Sequence, residues 1–470
     1  MKNMVRTLLA AVLTASLILA FGSCRRSSNK IAPDGTVTLQ YWSIYPLGDT
    51  HTPWMLSKIA QFEENNPHIK IEHTGISFWD YFTKINVSIN DPNGPDVFFH
   101  TVTDNAARAS GGLLLDLSPY FSPDVLSPGD FSDMDREALS YRDGIYGVPV
   151  ITDGRVLYYN KDILNELIIS TDQQWRETRV GQKAGTTIFG KPADLLDANG
   201  DVRAPVTWDE MAAYSELLTI RNAARRITRL GFDLGIGNNT IMNIIWTHGG
   251  RVFDDNQRPV VNTDPGVRTG YEIWYELARI HPIQDVNAFV SSTAGTADTM
   301  NLFWQQAVGM MIATNEVPWQ NLMMSPENRV NLGAATIPYI NGNRYNFSGG
   351  FSLEITSRLR REDPRVAQAA YDFLAFLMSD EVQRELLIEC GSMPGKLSIY
   401  EELTAALDDP AKKVVIEEMA FRRPFDYVPS APQWWGPIFE SLIRYVQGSW
   451  DLERSLNEAQ TGIERIQRTH

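Results

Sequence analysis

The segment 37–99 begins with Val37-Thr38-Leu39-Gln40-Tyr41-Trp42, a run in which apolar and polar residues alternate as they do along a β-strand. Four further patterns complete the segment. They are a helix with Pro53 in its first turn, Met55, Ile59 and Phe62 on one face and Asn65-Asn66-Pro67 at its end, a strand at Ile69-Lys70-Ile71, a helix from Asp80 to Ile89, and a short buried strand at Asp96-Val97-Phe98-Phe99. The order β-α-β-α-β predicts an α/β lobe.

Three signals further along the chain predict local structure. Thr207 with Glu210 three residues later is a capping box and predicts the start of a helix. The apolar spacing within residues 366–377 predicts another helix, broken at Ser379-Asp380. The stretch 190–205 is rich in Asp, Asn, Gly and Pro and predicts a surface insertion.

The composition is that of an ordinary globular chain. It has 470 residues, 43% of them hydrophobic and 21% charged, and a formal net charge of −15. This length suffices for two or more compact domains. The acidic balance repels nucleic-acid phosphates, so we expect no nucleic-acid partner. Only Cys24 and Cys390 are present, which argues against a disulfide framework, and the apolar surroundings of Cys390 predict that it packs in a core.

The N-terminus has the layout of a secretory signal. Lys2 and Arg6 precede an apolar run, residues 8–21, that is short for a membrane span. The ending Phe21-Gly22-Ser23-Cys24 resembles the bacterial lipobox, in which the cysteine receives a lipid. Residues 1–23 are therefore predicted to be a lipoprotein signal peptide and 24–35 a tether, with the chain anchored outside the cytoplasm. The alternative is an ordinary signal cut nearby.

Motifs of catalysis and of cofactor binding are incomplete or missing. The segment Gly235-Ile236-Gly237-Asn238-Asn239-Thr240 lacks the third glycine of a dinucleotide loop, and Asp197-Ala198-Asn199-Gly200-Asp201 lacks the glutamate of a calcium loop, which favours a polar turn. No H-E-x-x-H, G-x-S-x-G or P-loop motif occurs. We expect no metal and no cofactor. A glycosidase with paired carboxylates stays a possible interpretation, because such a pair has no fixed spacing in the sequence.

Four landmarks, in this order, resemble the family 1 extracellular solute-binding proteins of ABC importers, the group that includes maltose-binding protein. They are Gly94-Pro95-Asp96-Val97-Phe98-Phe99 with Gly111-Gly112-Leu113-Leu114; Tyr146-Gly147-Val148-Pro149 with Leu157-Tyr158-Tyr159-Asn160-Lys161-Asp162; Val308-Gly309-Met310-Met311-Ile312 ahead of Trp319; and Ser348-Gly349-Gly350-Phe351 ahead of Met393-Pro394. The resemblance extends over essentially the whole chain after Cys24.

The resemblance implies an α/β, two-lobed periplasmic-binding-protein fold with an inter-lobe ligand cleft and hinge crossings. The implied first lobe comprises residues 36–149 and 351–398, and the second comprises 150–350 and 399–470. A ligand that contacts both lobes only in the closed form shifts the protein toward that form. An ABC permease then recognises the closed receptor.

The family's pocket maps onto particular residues of this chain. The ligand-binding positions that the resemblance implies are Ser43, Tyr45 and Asp49 after the first strand; His100, Thr103 and Asp104 after the Pro-Asp strand; Asp153 and Arg155 after the first crossing; and Trp246, Asn315, Glu316, Trp319, Gly350 and Trp434 further on. Aromatic rings cover the apolar faces of a sugar, and Asp, Asn and Arg bond to its hydroxyls.

The sequence therefore predicts a lipid-anchored, monomeric receptor that performs no chemistry and delivers an oligosaccharide or monosaccharide to an ABC permease. Two alternatives stay open. One is a secreted glycan-degrading enzyme in which Asp153 and Glu316 form an acid/base pair. The other is the same receptor fold with a non-sugar ligand, such as a glycerophosphodiester or a polyamine.

Overall fold

The computed structural model describes residues 30–49, 51–169, 196–234, 238–293, 299–406, 408–428, 430 and 433–469. The chain divides into two compact units. Unit 1 comprises Met1–Phe98 and Ile355–Phe373, and unit 2 comprises Phe99–Glu354 and Leu374–His470. None of the helices in the described ranges is both long enough and apolar enough to cross a membrane.

The described residues form helices and strands throughout both units. The helices are α1 (Thr52–Asn65), α2 (Phe78–Ser88), α3 (Asn105–Ser110), α4 (Asp133–Ala138), α5 (Lys161–Ile169), α6 (Trp208–Leu218), α7 (Asn238–Thr247), α8 (Pro265–Arg279), α9 (Ile283–Thr293), α10 (Thr299–Trp304), α11 (Val317–Met323), α12 (Pro364–Leu377), α13 (Asp380–Cys390), α14 (Leu397–Ala406), α15 (Pro410–Glu418), α16 (Trp435–Val446) and α17 (Leu452–Thr469). The strands are β1 (Val37–Ser43), β2 (Ile69–Gly75), β3 (Val97–Thr101), β4 (Ser140–Tyr141), β5 (Gly144–Ile145), β6 (Val148–Ile151), β7 (Arg155–Asn160), β8 (Ile220–Arg221), β9 (Ile227–Asp233), β10 (Val308–Thr314), β11 (Leu332–Ala335), β12 (Asn346–Phe347), β13 (Phe351–Ile355) and β14 (Arg422–Arg423).

Unit 1 is built on parallel strands, and its element order is the predicted β-α-β-α-β. Strand β1 pairs in parallel with β2, with Val37 opposite Ile69, and with the start of β3, with Tyr41 opposite Val97. Residues of β1 alternate between buried and half-buried, as the sequence pattern predicts. Helix α1 has a proline in its first turn and ends at Asn65, also as predicted. Its Phe62 packs edge-on against Phe373, with ring centroids 5.1 Å apart.

Unit 2 contains a second sheet with the strand order β11-β7-β10-β9-β8. Strand β10 pairs antiparallel with β7 and parallel with β9, so this sheet is mixed. Strand β13 pairs antiparallel with β6 in the same unit. The short strands β12 and β14 pair in parallel, which brings residues 346–347 beside residues 422–423. This last pairing positions the segment that follows β14.

The helix cap and the helix break predicted for unit 2 are both present. Thr207 caps α6 as expected, because its side chain accepts a hydrogen bond from the backbone N–H of Glu210. In a full capping box the Glu210 carboxylate would accept from the backbone N–H of Thr207. Here it accepts instead from the backbone N–H of Val206 at 2.7 Å and from the Arg203 guanidinium. Helix α12 ends at Leu377 and α13 begins at Asp380, as predicted. Cys390 is 3% exposed, which confirms that it packs in a core.

Some sequence predictions fall partly or wholly outside the described residues. These are the signal peptide, Cys24 and residues 25–29 of the tether, residues 190–195 of the predicted insertion, and the glycine-rich segment 235–237. Asp197 lies within the described part and forms the expected polar turn. Its Oδ1 accepts from the backbone N–H of Asn199 at 2.8 Å and of Asp201 at 3.1 Å. The lobe boundaries implied by the family resemblance stay a prediction.

Candidate functional site

Unit 2 contains a cavity of about 660 Å³, hereafter the main cavity. It is within the volume range of pockets for small molecules, which is roughly 300–1,000 Å³. One wall comes from the start of α3 and from α4, and the other from the loops 251–257 and 423–428. A small side cavity adjoins it and shares Thr103 and residues 425–428. The side cavity is also lined by Asp104, Ala107, Trp434 and Trp435.

The first wall is held by hydrogen bonds close to the chain turns. A 3-10 turn, Val102–Asp104, follows β3 and leads into α3. The Asp104 carboxylate accepts a hydrogen bond from the Thr101 hydroxyl at 3.1 Å. Ser132 caps α4 by accepting from the backbone N–H of Asp135 at 3.1 Å. These local bonds fix the two short elements that contribute Thr103 and Glu137 to the wall.

The second wall includes a tight turn between Phe253 and Pro259. These two residues form an isolated antiparallel bridge. Between them the Asp254 carboxylate accepts from the backbone N–H groups of Asn256 and Arg258, each at 2.9 Å. Gln257 takes a left-handed conformation with φ of 58°, which a side chain other than glycine adopts only in such turns. The turn presents Phe253 and Asp254 to the main cavity.

Aromatic rings pack behind and along the second wall. Phe425 contacts Phe347, with ring centroids 4.7 Å apart, and Trp434, at 5.1 Å. Trp434 also packs edge-on against Phe253 at 5.4 Å, and its indole N–H donates to the carbonyl of Asp426 at 2.8 Å. Offset and edge-on ring pairs are the favourable geometries. The rings therefore form one connected, rigid aromatic surface.

One polar atom of this surface has no protein partner. The hydroxyl of Tyr427, which lines both cavities, is buried and has no hydrogen-bond partner among the described residues. A buried hydroxyl without a partner costs free energy that a bound ligand with a polar group recovers. The site therefore offers a ligand both a ring surface and an unused hydrogen bond.

Both arginines that line the main cavity are paired with an aspartate of the same lining. The Arg251 guanidinium lies 2.9 Å from a carboxylate oxygen of Asp255, and Arg423 lies 3.3 Å from Asp426. Arg423 also lies over the ring of Trp246, 4.8 Å from the centroid. Such pairs keep the capacity for hydrogen bonding while leaving little net charge. Within the described parts of the chain, no three His, Cys, Asp or Glu side chains are grouped to hold a metal ion.

The structure brings three of the sequence-derived candidates to these cavities. Thr103 lines both, and Asp104 and Trp434 line the side cavity. The remaining candidates are not in either lining. Ser43, Tyr45 and Asp49 belong to unit 1, where Ser43 bonds to His73 at 2.8 Å and Tyr45 stacks on His51 at 4.4 Å.

His100 is placed in a buried polar network. The Arg108 guanidinium donates to the Glu354 carboxylate at 2.8 Å, and Asn105 donates to the same carboxylate at 2.9 Å. The Arg108 Nη1 lies 3.4 Å from the His100 imidazole. Burial, together with the charge of Arg108, lowers the pKa of His100 well below its usual value. The network holds the end of β3 against α3 and β13, directly before the residues that line the main cavity.

Most of the other candidates from unit 2 form ion pairs or hydrogen bonds with protein groups, or pack in hydrophobic cores. Asp153 and Arg155 form a buried ion pair. Trp246 is fully buried against Phe347, and Trp319 is 8% exposed. The remaining placements are Asn315, which is buried and donates to the carbonyl of Thr152; Glu316, which accepts from the Thr314 hydroxyl; and Gly350, which has a φ of 55°.

Several lining residues are absent from the sequence-derived set. They are Arg423 at the end of β14 with Phe425, Asp426 and Tyr427 after it, and Arg251, Phe253 and Asp254 after α7. The sequence does carry a signal for the first group. In Pro424-Phe425-Asp426-Tyr427 two aromatic residues flank a carboxylate shortly before Trp434, a pattern that suits sugar binding. The second group has no signal of its own, since a polar turn with one aromatic residue is common on any protein surface.

Solved structures show that the fold is that of solute-binding proteins. An ABC transporter solute-binding protein from Thermotoga lettingae, bound with α-D-tagatose, matches with a TM-score of 0.71 and 20% identity over 92% of this chain and 99% of that protein. An ABC substrate-binding protein from Listeria monocytogenes, in complex with cycloalternan, matches with a TM-score of 0.68 and 17% identity over 91% and 98% of the two chains. These similarities confirm the predicted α/β fold.

Sequence comparison identifies the family. A maltooligosaccharide ABC transporter solute-binding lipoprotein of Streptococcus pneumoniae serotype 4 (strain ATCC BAA-334 / TIGR4) is 22% identical over 466 residues, which cover 96% of this chain and 94% of the relative. Residues 48–384 match the profile of the bacterial extracellular solute-binding proteins. Because this match extends over most of the chain, the protein belongs to the bacterial extracellular solute-binding protein family, as its four sequence landmarks predict.

Proposed function

We propose that the protein is an extracytoplasmic receptor that captures a neutral carbohydrate, a monosaccharide or an oligosaccharide, and delivers it to an ABC importer. The observation that carries the proposal is the main cavity, whose wall combines Phe253, Phe425 and Tyr427 with carboxylates and with two arginines that are each paired with an aspartate. A pyranose has apolar C–H faces and a rim of hydroxyls, so it needs rings and hydrogen-bonding groups side by side. The carbohydrate named with each of the similar proteins supports this ligand class.

The energetics of such a site are sufficient for a transport receptor. A hydrogen bond to a charged group contributes roughly 1.5–3 kcal/mol. Asp254, Asp255, Asp426 and Arg423 supply several such groups at the main cavity. Three such bonds together with ring stacking would suffice for about −8 kcal/mol, the binding free energy of a micromolar site.

The charge arrangement favours a neutral ligand over an anionic one. Arg251 and Arg423 are each paired with an aspartate of the lining, and Arg155 is paired with Asp153. A phosphodiester would have to displace these carboxylates. A polyamine would find Asp254, Asp255 and Asp426 already engaged by arginines. Neither ligand makes use of the aromatic surface as fully as a sugar does.

Several features support binding without catalysis. The family consists of solute-binding proteins. Asp153 and Glu316, the carboxylates proposed for the enzyme alternative, are not in the lining of the main cavity. Asp153 instead bonds to Arg155. A glycosidase needs both carboxyl groups next to one glycosidic bond.

The proposal includes closure around the ligand. The wall from α3 and α4 lies within the proposed first lobe, residues 36–149 and 351–398. The loops 251–257 and 423–428 lie within the proposed second lobe, residues 150–350 and 399–470. A ligand held by both walls then stabilises the closed form, which a permease can recognise.

We further propose that Cys24 carries the lipid that anchors the receptor, which acts as a monomer. Stable anchoring generally needs two acyl chains, which a diacylglyceryl cysteine supplies. The tether, residues 24–35, keeps the receptor near its permease and raises the effective concentration there.

A thermal-shift screen tests the proposal. Protein starting after Cys24 is incubated with maltotriose, mannobiose, tagatose, glycerophosphocholine and spermidine. We expect stabilisation by at least one sugar, since a ligand at a hundredfold excess over Kd adds about 2.7 kcal/mol to the free energy of unfolding. Stabilisation by glycerophosphocholine or spermidine alone contradicts the carbohydrate assignment. Release of shorter products from the oligosaccharides contradicts the receptor assignment.

Tyr427→Phe removes only the unpartnered hydroxyl of the main cavity. We expect binding of the stabilising sugar to weaken by roughly 2- to 12-fold, the effect of one hydrogen bond of about 0.5–1.5 kcal/mol. The free energy of unfolding should stay nearly unchanged, because no protein group loses a partner. Titration calorimetry measures the affinity. The matched control is Tyr339→Phe, whose ring is 40% exposed and outside both linings; equal weakening in both variants argues against this cavity.

A further inference from the structure

An ion pair lies directly behind the main cavity and joins its two walls. The Arg422 Nη2 is 3.2 Å from a carboxylate oxygen of Asp135, and each side chain is only 5% exposed. Asp135 is on α4, whose Met134, Glu137 and Ala138 line the main cavity. Arg422 is on β14, directly before the lining residues 423–428. The two partners are 287 positions apart in the sequence, so their pairing is purely tertiary.

Both partners are held in place by their own wall. Asp135 accepts from the hydroxyl of Ser132 at 2.6 Å, within the cap of α4. Arg422 donates from Nε to the carbonyl of Met419 at 3.0 Å. The pair therefore connects two locally fixed elements rather than two flexible side chains.

The environment of Arg422 indicates a reversible contact. Its Nη1 is buried and has no hydrogen-bond partner among the described residues. Burial alone would lower the pKa of Arg422, but Asp135, Tyr400 and Asp153 nearby raise it overall. A buried pair recovers the cost of desolvation only when its remaining donors are satisfied. If the walls separated, water would reach both charged groups and the unpartnered Nη1. The pair can therefore open without leaving an unpaired charge buried away from water.

We propose that the Asp135–Arg422 pair is a clamp that holds the two walls of the main cavity together and so sets how far the cavity opens. The clamp acts on the spacing of the walls and not by touching a ligand. The role of the clamp in ligand binding rests on the proposed function. The contact itself is tested without any ligand.

Hydrogen exchange measured by mass spectrometry on the full ligand-free chain tests the clamp. In Asp135→Asn we expect amide exchange to rise at least about tenfold in α4 and also in residues 422–428, because the loss of a buried partner releases both walls. Arg422→Met should give the same pattern. The double variant should exchange no faster than the faster single variant, because both changes remove the same contact.

The matched control is Asp133→Asn, in the same first turn of α4. The Asp133 side chain is 93% exposed and pairs with Arg136 on the surface, so its loss removes an equal charge at the same helix end. We expect residues 422–428 to exchange as in the unchanged protein. The clamp is refuted if Asp135→Asn and Asp133→Asn change residues 422–428 equally, or if the effects of Asp135→Asn and Arg422→Met simply add. Failure of every sugar in the screen would overturn the proposed function and leave this result intact.

Discussion

Replacing Trp434 with alanine is expected to lower the free energy of unfolding by about 3–5 kcal/mol, the range for a large buried aromatic residue. Its side chain is 2% exposed and packs against Phe253 and Phe425. Its indole N–H also donates to Asp426. The substitution leaves a cavity where three rings meet and frees the carbonyl of Asp426. Urea denaturation monitored by circular dichroism measures the loss.

The adjacent tryptophan provides the control. Trp435 is 37% exposed and starts α16, so Trp435→Ala should cost under about 1 kcal/mol, as is usual for substitutions near the surface. Trp434→Ala should also weaken sugar binding, because Phe253 and Phe425 lose the ring that fixes them at the main cavity. Equal stability losses in the two variants would show that Trp434 is not part of the core of unit 2.

Arg108→Met is expected to destabilise the protein by about 3–5 kcal/mol, because it leaves the carboxylate of Glu354 buried without its charged partner. The side chains of Arg108 and Glu354 are 8% and 0% exposed. The same carboxylate also accepts from Asn105 and Ser352, so the loss affects α3 and β13 together. The denaturation midpoint and slope in urea, measured at constant pH, give the change.

Two further variants separate the role of charge from that of shape. The double variant Arg108→Met/Glu354→Leu should be more stable than Arg108→Met alone, since no buried charge is left unpaired. Arg365→Met breaks an exposed pair with Asp363 and should have little effect. If Arg365→Met costs as much as Arg108→Met, burial does not explain the expected loss.

The sequence predicted the elements well wherever the signal was local. The alternation of residues 37–42, the proline in the first turn of α1 and the cap at Thr207 all appear where they were expected. Each depends on neighbours within about one turn or a few strand residues, which the chain order specifies directly. The family landmarks added the fold, because they recur in a fixed order along the chain.

The candidate site was predicted less completely. Thr103, Asp104 and Trp434 reach the cavities, and Trp434 does so from the same hydrophobic core that contains Trp246. Trp319 lies in a second core and in neither cavity lining. A tryptophan looks the same in sequence whether it stacks on a ligand or on Phe347. The sequence did not predict Tyr427 and Phe253 as site residues, because their positions at the main cavity depend on which distant loops face each other.

The sequence by itself determined the α/β class, the family, the order of elements and the burial of Cys390. The family follows from the resemblance that its four landmarks carry, and the other three depend on periodicity, capping and composition, which are properties of contiguous residues. Only the tertiary structure decided which aromatic residues line the main cavity and that Asp135 meets Arg422. Those facts depend on pairs brought together across hundreds of residues. Their geometry is set by the packing of whole elements, which no local pattern encodes.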